Sequence, residues 1–321
     1  MDSMVLPIFL FAVSFVLLLW SGKILPRTLQ RISKILHISE FLTAFLLIAF
    51  ATSVPELFVG ISSAIQGVPS ISLGNILGAN FINLTLVIGL AALFSGFVSS
   101  KSKISSENFW LASAITFLPI LLSTDGVISR GDAVLLLGAF VLYLVKIFQD
   151  KEYFHKASHT GEPHNFHSIS NVFKNLVHFA GATALLVVSS FVLVWSSKII
   201  IGEYFASDFL LFGLIFIALG TTLPELVFGI RSSMSGHSSA MLGNAVGTIA
   251  FNAAGVVGIV ALVQPITMDF SKDILLIGIF LSIALFFFHF FVYTKGHINR
   301  LEALVLLLVY LSFIGFTFLL S

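Results

Sequence analysis

Apolar segments of the kind that cross a lipid bilayer recur along this chain. We identify ten, at residues 4–20, 41–65, 70–97, 109–123, 132–148, 176–196, 208–230, 240–263, 273–294 and 301–320. Because lipid cannot satisfy an open sheet edge, each segment is expected to be a helix. Hydrophobic residues make up 58% of the chain and charged residues 10%, which excludes a soluble protein of this length. The sequence therefore predicts an all-α polytopic membrane protein with ten transmembrane helices.

The basic residues are divided unevenly between the two sides of such a protein. Thirteen of the 16 fall on one side, and three fall on the other, namely Arg130, Lys198 and Lys272. Since basic loops remain in the cytoplasm, this asymmetry places the 149–175 loop inside the cell and both termini outside it. No basic residue precedes the first apolar segment, so we expect that segment to be a retained helix in the cell membrane and not a cleaved signal peptide.

Composition also limits the partners of the chain. Cysteine is absent, which excludes disulfides and thiolate metal sites, and no basic cluster suits a nucleic acid. We expect the lipid bilayer and inorganic cations as partners, no nucleic acid, no cofactor and a monomeric protein. The 149–175 loop is interpreted as a solvated linker, although His155 and His159 have a spacing that could bind a transition metal.

The two halves of the chain carry the same motifs at a constant separation of 169 residues. The offset aligns Ala49-Phe-Ala-Thr-Ser-Val-Pro-Glu56 with Ala218-Leu-Gly-Thr-Thr-Leu-Pro-Glu225, Gly60 with Gly229, Gly74-Asn75 with Gly243-Asn244, Gly78 with Gly247, and Asn83 with Asn252. Because each half has five helices, an odd number, the copies enter the membrane from opposite sides. We therefore predict two inverted five-helix repeats, residues 1–148 (motif region 43–97) and 176–321 (motif region 212–263), joined by the linker. Transporters with this architecture bind their substrates near the midplane.

Glu56 and Glu225 are the acidic residues that lie deep within the predicted helices. A carboxylate at this depth costs about 3 kcal/mol or more unless it meets a cation, a proton or a polar cavity. No lysine or arginine lies deep enough to neutralise either one. The alternative is that the motifs only kink the helices and that each glutamate is neutral or paired with a buried base.

A proline, Pro55 or Pro224, precedes each glutamate. Proline within a helix removes one N–H donor and leaves backbone carbonyls free. Side-chain hydroxyls flank both prolines, at Thr52, Ser53, Thr221 and Thr222. Carboxylates, carbonyls and hydroxyls form a hard, all-oxygen site that suits Ca²⁺ or Na⁺ better than zinc or copper.

Each half also contains a Gly-Asn-x-x-Gly segment in its next helix. The glycines form small faces that let helices approach closely, at Gly74, Gly78, Gly243 and Gly247. Beyond them, Asn83 and Asn252 could turn amide oxygens toward a bound ion. For Asn75 and Asn244, a hydrogen bond to the kinked backbone explains the residue type at least as well as ion binding.

Together these doubled motifs resemble the paired α-repeats of the Ca²⁺/cation antiporter superfamily, and most closely the microbial Na⁺/Ca²⁺ exchangers. The resemblance implies that Glu56 and Glu225 coordinate Ca²⁺ with the carbonyls of Thr52 and Thr221. It implies further that the first and sixth helices slide as a gating pair against the other eight. Flanking Na⁺ sites would use the carbonyls of Ala49 and Ala218 with hydroxyls around Thr52, Ser53, Thr221, Thr222 and Thr248, and Asn83 and Asn252 would line the middle of the cluster.

The chain departs from the family pattern at a few positions. Ala79 stands where relatives often have a hydroxyl, whereas its repeat mate Thr248 keeps one, so the number of Na⁺ ions is open. Asn252 replaces the aspartate of K⁺-dependent exchangers, which weakens the case for K⁺. No glutamate follows Gly-Asn in either repeat, which weakens the case for H⁺.

The resulting hypothesis is a secondary active antiporter that exchanges Ca²⁺ for Na⁺ by alternating access. The alternatives are an exchanger coupled to H⁺ or K⁺, one that carries another divalent cation, and an ion channel, although a channel needs no inverted repeat. An intramembrane enzyme is disfavoured because the chain has no cysteine, no His-Glu-x-x-His motif and no Gly-x-Ser-x-Gly motif.

Overall fold

The computed structural model describes residues 2–35, 52–99, 106–149, 169–205, 208–268 and 272–320. In the first half these residues form helices α1 (Asp2–Ile35), α2 (Val54–Ile65), α3 (Ser70–Ser95), α4 (Ser106–Leu122) and α5 (Arg130–Gln149), with strands β1 (Phe97–Ser99) and β2 (Val127–Ile128). The second half contains α6 (Ile169–Tyr204), α7 (Phe209–Thr221) and α8 (Leu223–Met234). It continues with α9 (Ser238–Ala250, extended by Phe251–Val256 and Val257–Val263), β3 (Ile266–Thr267), α10 (Lys272–Lys295), β4 (His297–Asn299) and α11 (Arg300–Leu320).

Several of the helices have the length and polarity of membrane spans. Within the described residues, six are long and apolar enough to cross a bilayer, or seven if α7 and α8, which meet at a 42° bend, form one span. Large apolar side chains are exposed along α1, α10 and α11, as expected of surfaces that face lipid. Helices occupy the predicted segments, except for residues 41–51, which lie outside the described residues. A helical membrane protein is thus confirmed, and the number of ten spans stays a prediction.

Equivalent elements of the two halves are related by the offset found in the sequence. Shifting α2, Val54–Ile65, by 169 residues gives the bounds of α8, Leu223–Met234. Both long central helices also contain a π-helical segment at the same place, Asn83–Val87 in α3 and Phe251–Val256 in α9. These correspondences support the predicted repeat.

The short strands pair across the halves. β1 pairs with β4, and β2 pairs with β3, both antiparallel. By the offset, the counterpart of β1 is β3 and that of β2 is β4, so each small sheet contains one strand from each half. Two arginines follow the same rule: Arg130 donates to the carbonyl of Leu262 at 3.2 Å, and Arg300 donates to that of Leu93 at 3.3 Å. The halves are therefore joined symmetrically at both ends of the bundle.

The centre of the molecule is formed by α3 and α9, the most buried of the candidate spans. Helix α3 packs on α7, α8, α10 and α11 of the other half, and α9 packs on α2, α4 and α5. The approach of α3 to α7 is very close: a Cβ at Gly74 or Gly78 would overlap the backbone of α7, and one at Gly213 would overlap α3. Glycine is required here because the two backbones leave no room for a side chain.

Helices α1 and α6 pack along each other and stand apart from this centre. α1 contacts α2 and α7 close to two breaks between helices. Gly22 lies against Pro55, and the Phe15 ring fills the space beside Gly220, where a Cβ would overlap it. α6 lies along α2. This pair therefore borders both of the helix breaks that carry the glutamates.

Candidate cation site

Each glutamate lies at the start of a half-helix. α2 begins at Val54 after Ser53, and α8 begins at Leu223 after Thr222. The prolines, expected in the middle of kinked helices, are instead in the first turn of a new helix, because proline there loses only an N–H that has no helical partner. Glu56 and Glu225 thus lie in first turns, where backbone N–H groups and the helix dipole favour negative charge.

The two carboxylates are buried together. Glu56 is 0% exposed and Glu225 is 1% exposed. They are close enough for their charges to repel each other, and Thr221 faces Glu56 while Thr52 faces Glu225. Within the described part of the chain, none of the four carboxylate oxygens accepts a hydrogen bond from another residue. Two buried carboxylates, one from each half, therefore lie near each other, and no other described residue gives either of them a hydrogen-bond donor.

Hydrogen bonds between threonine and asparagine cross the two halves beside these carboxylates. The Thr221 hydroxyl donates to Asn75 Oδ1 at 3.0 Å, and the Thr52 hydroxyl donates to Asn244 Oδ1 at 3.5 Å. These two bonds are related by the offset of 169 residues. Among the described residues, both asparagines thus accept hydrogen bonds from threonine hydroxyls of the other half, whereas the sequence suggested the kinked backbone as their partner.

Other predicted ligands provide polar atoms without partners. Ser53, Asn83, Thr248 and Asn252 are at most 1% exposed. The Ser53 and Thr248 hydroxyls and both amide atoms of Asn83 and Asn252 form no hydrogen bond within the described residues. Buried polar groups normally find partners, so these atoms indicate a space suited to ions or water.

Three further positions were predicted to bind Na⁺, namely Ala49, Ala218 and Thr222. The Thr222 hydroxyl donates to the Ala218 carbonyl at 2.7 Å, and that carbonyl also accepts the Thr222 N–H at 3.1 Å. Both groups are thus already hydrogen-bonded in this structure. Ala49 lies outside the described residues, as does the segment that would face Gly243 and Gly247 by the repeat offset.

Asn80 is a polar residue of this region that the sequence analysis missed. Its amide donates to the carbonyl of Ile249 at 3.1 Å, and its Oδ1 is buried and has no hydrogen-bond partner among the described residues. The repeat mate of Asn80 is Ile249 itself, so comparing the halves gave no signal. Gly213 was also missed, although a Cβ there would overlap α3.

The donor set limits the ions that this space can bind. Among the described residues, no three His, Cys, Asp or Glu side chains lie close enough to hold a metal ion together. A cation here would rely on two carboxylates and neutral oxygens. Such donors suit Ca²⁺ and Na⁺, whereas zinc prefers nitrogen and sulfur.

Comparison with known proteins decides the family. Residues 6–149 and 174–319 match the family described as sodium/calcium exchanger protein. The chain belongs to this family. The predicted resemblance is confirmed, and the family model matches each half of the chain in turn.

Individual relatives agree with this assignment. CaxA of Alkalimonas amylolytica is 31% identical over 317 residues, 96% of each chain. The sodium/calcium exchanger MaX1 of Methanosarcina acetivorans is 26% identical, over 90% of this chain and 91% of its own. Among solved structures, the sodium-calcium exchanger NCX_Mj soaked with 10 mM Na⁺ and zero Ca²⁺ aligns with a TM-score of 0.64 at 23% identity, covering 97% of this chain and 99% of that chain. A second NCX_Mj structure, soaked with 100 mM Na⁺ and 10 mM Sr²⁺, gives a TM-score of 0.65 at 22% identity, covering 97% and 98%.

Family membership establishes the class of activity. This exchanger-family protein is a multi-pass membrane protein and a cation antiporter, and it is a secondary transporter and not an enzyme. Its family transports Ca²⁺ and Na⁺ without a cofactor. The NCX_Mj structures show that the chain has the exchanger fold.

Proposed function

We propose that this antiporter exchanges Ca²⁺ for Na⁺ by alternating access at a midplane site built around Glu56 and Glu225. The observation that carries the proposal is the pair of buried carboxylates, one from each half, with no hydrogen-bond donor on any carboxylate oxygen among the described residues. The name of MaX1, a sodium/calcium exchanger, favours Na⁺ as the coupling ion.

Charge accounts for coupling at such a site. An empty site with two carboxylates is costly in a low-dielectric interior, so it does not pass between the two access states. One Ca²⁺ neutralises the pair, and so do two Na⁺ ions, but both loads need the same oxygens. A third Na⁺ would make the cycle electrogenic, each extra charge being worth ~2.3 kcal/mol per 100 mV. Competition for the two glutamates therefore produces exchange and prevents a leak.

The remaining polar groups would complete the coordination. Ca²⁺ would bind both glutamates and the carbonyls of Thr52 and Thr221, which the threonine–asparagine hydrogen bonds hold in place. Na⁺ ions would use the flanking positions Ala49, Ser53, Ala218, Thr222 and Thr248, with Asn83 and Asn252 lining the centre. Use of the Ala218 carbonyl would compete with its hydrogen bonds from Thr222, whereas the Thr222 hydroxyl keeps lone pairs for an ion while it donates.

The helix packing favours α1 and α6 as the moving pair. They pack mainly on each other and border both glutamate-bearing breaks. Sliding of this pair against the other helices would expose the site to one side at a time. The proposed topology has ten spans, two inverted repeats joined by the 149–175 linker, both termini outside the cell and a monomer in the cell membrane.

Isotopic Ca²⁺ uptake into proteoliposomes tests this function. We expect uptake driven by an outward Na⁺ gradient and little uptake driven by K⁺ or H⁺ gradients of equal size. Uptake that follows the H⁺ or K⁺ gradient would show that this ion, and not Na⁺, is coupled to Ca²⁺ transport. Ca²⁺ movement without any counter-ion would indicate a channel and would contradict the proposal.

Thr248 gives a second prediction because its repeat mate, Ala79, has no hydroxyl. The Thr248 hydroxyl is buried and unpartnered among the described residues, so it is free to bind an ion. Thr248→Ala removes this hydroxyl and should raise the Na⁺ concentration for half-maximal Ca²⁺ efflux by about tenfold. A change of this size corresponds to the free energy of one strong hydrogen-bond-like contact. Ala79→Ser should lower that concentration. Efflux curves for the two variants that coincide with the parent curve would remove Thr248 from the Na⁺ site.

A further inference from the structure

Three hydrogen bonds connect the end of α2 to α6. The hydroxyls of Ser62 and Ser190 are 2.8 Å apart, the Gln66 amide donates to the Phe191 carbonyl at 2.9 Å, and Lys198 Nζ donates to the Gln66 carbonyl at 2.8 Å. We call these five residues the α2–α6 latch. Ser62 and Ser190 are buried, and Lys198 is half-buried.

The latch lies at the opposite end of α2 from Glu56. Glu56 lies in the first turn of α2 and Gln66 directly follows its last residue, so the two are ten positions apart, about 15 Å along the helix. That is half the thickness of the hydrocarbon layer. Between the two lies Val59, fully buried in the apolar cluster that includes Leu186 and Val194 of α6.

Lys198 adds charge to this closure. Its ammonium group binds the carbonyl of Gln66, which caps the C-terminal end of α2 where carbonyls lack helical partners and a cation is favoured. The same positive charge repels Na⁺ or Ca²⁺ that approaches between α2 and α6. The contact thus joins the two helices and places a positive charge where they meet.

We infer that the α2–α6 latch holds the cation site closed toward the membrane surface at which α2 ends, and that it must open in each transport cycle. This inference rests on the proposed alternating access, because α6 belongs to the proposed moving pair. The structure would then be of a state closed on that side. Loss of the latch would shift the population toward the state open there.

A thiol reporter tests the inference, since the chain has no cysteine of its own. In Val59→Cys protein in nanodiscs, we would measure the labelling rate with a charged, membrane-impermeant maleimide. We expect Lys198→Met to increase that rate about tenfold, as loss of one hydrogen bond with a charged donor would. Ser62→Ala should increase it in the same direction, and Lys198→Arg, which keeps a donor, should restore slow labelling.

Lys272→Met is the matched control, because it removes a lysine at the start of α10 and leaves the latch intact. Its labelling rate should equal that of the reporter protein. Each variant is first shown to be folded by size-exclusion chromatography and thermal unfolding; if Lys198→Met fails there, Ser62→Ala decides the result. Equal rates in the folded latch variants and the control would overturn the latch.

Ca²⁺ flux separates this result from the proposed function. Unchanged labelling in latch variants whose parent shows Na⁺-driven Ca²⁺ uptake would disprove the latch and leave the exchange proposal standing. Faster labelling in variants of a parent without such uptake would support the latch and refute the exchange proposal.

Discussion

Na⁺-gradient-driven Ca²⁺ uptake is expected to fall by about 100-fold or more in Glu56→Gln and in Glu225→Gln. Each substitution keeps the shape of the side chain and removes half of the fixed charge that a divalent cation must meet. Both carboxylates are buried and accept no hydrogen bond from other described residues, so little in the protein compensates for the loss. The measurement is initial isotopic uptake into proteoliposomes at matched protein content.

Stability provides the internal check on this prediction. Removing one of two carboxylates that repel each other should leave the ion-free protein as stable as before, or more stable. Ca²⁺ should raise the melting temperature of the parent protein and of Glu203→Gln, whose exposed position lies at the end of α6, but not that of the site variants. Normal uptake in either site variant would rule out the proposed mechanism.

The second large effect is expected at Gly78, where α3 crosses α7. A Cβ at this position would overlap the Leu214 carbonyl and the Ala218 side chain. A leucine adds three more carbon atoms to that overlap, and overpacking in a tight core costs about 1–3 kcal/mol or more. We expect Gly78→Leu to yield little folded protein and Gly78→Ala to melt several degrees lower, by roughly 2–8 °C.

Gly138 is the matched control for that experiment. It lies in α5, and a Cβ there would meet no atom within 4 Å among the described residues. Gly138→Leu should therefore express and melt like the parent in fluorescence-detected size exclusion and thermal unfolding. Equal yields of Gly78→Leu and Gly138→Leu would show that the α3–α7 crossing tolerates a side chain, contrary to the structure.

Much of this fold could be predicted because two signals in the chain are strong. Apolar runs mark membrane helices through the cost of exposing them to water, and the constant offset relates the halves without knowledge of their structure. Glu56 and Glu225 stand out for the same reason: a charge within an apolar run needs a physical explanation. The close approach at Gly74 and Gly78 followed from the absence of side chains.

Details set by tertiary contacts could not be predicted. The sequence did not show whether each proline kinks a helix or begins a new one, and here Pro55 and Pro224 lie in the first turns of helices capped by Ser53 and Thr222. The sequence indicated that Asn75 and Asn244 need partners but could not show that these are threonine hydroxyls from the other half. Asn80 gave no repeat signal, because its counterpart is Ile249.

The exchanged strand pairing has a consequence for biosynthesis. Neither half contains the partner of its own strands, since β1 must wait for β4 and β2 for β3. When the ribosome has made only the first half, its helices can insert into the membrane. Strands β1 and β2 and the Leu93 carbonyl, however, still lack their partners from the second half. Assembly of the bundle is therefore completed late, after the last helices emerge. If the two halves are expressed as separate chains, split within the linker, transport should appear only when both are synthesised into the same membrane.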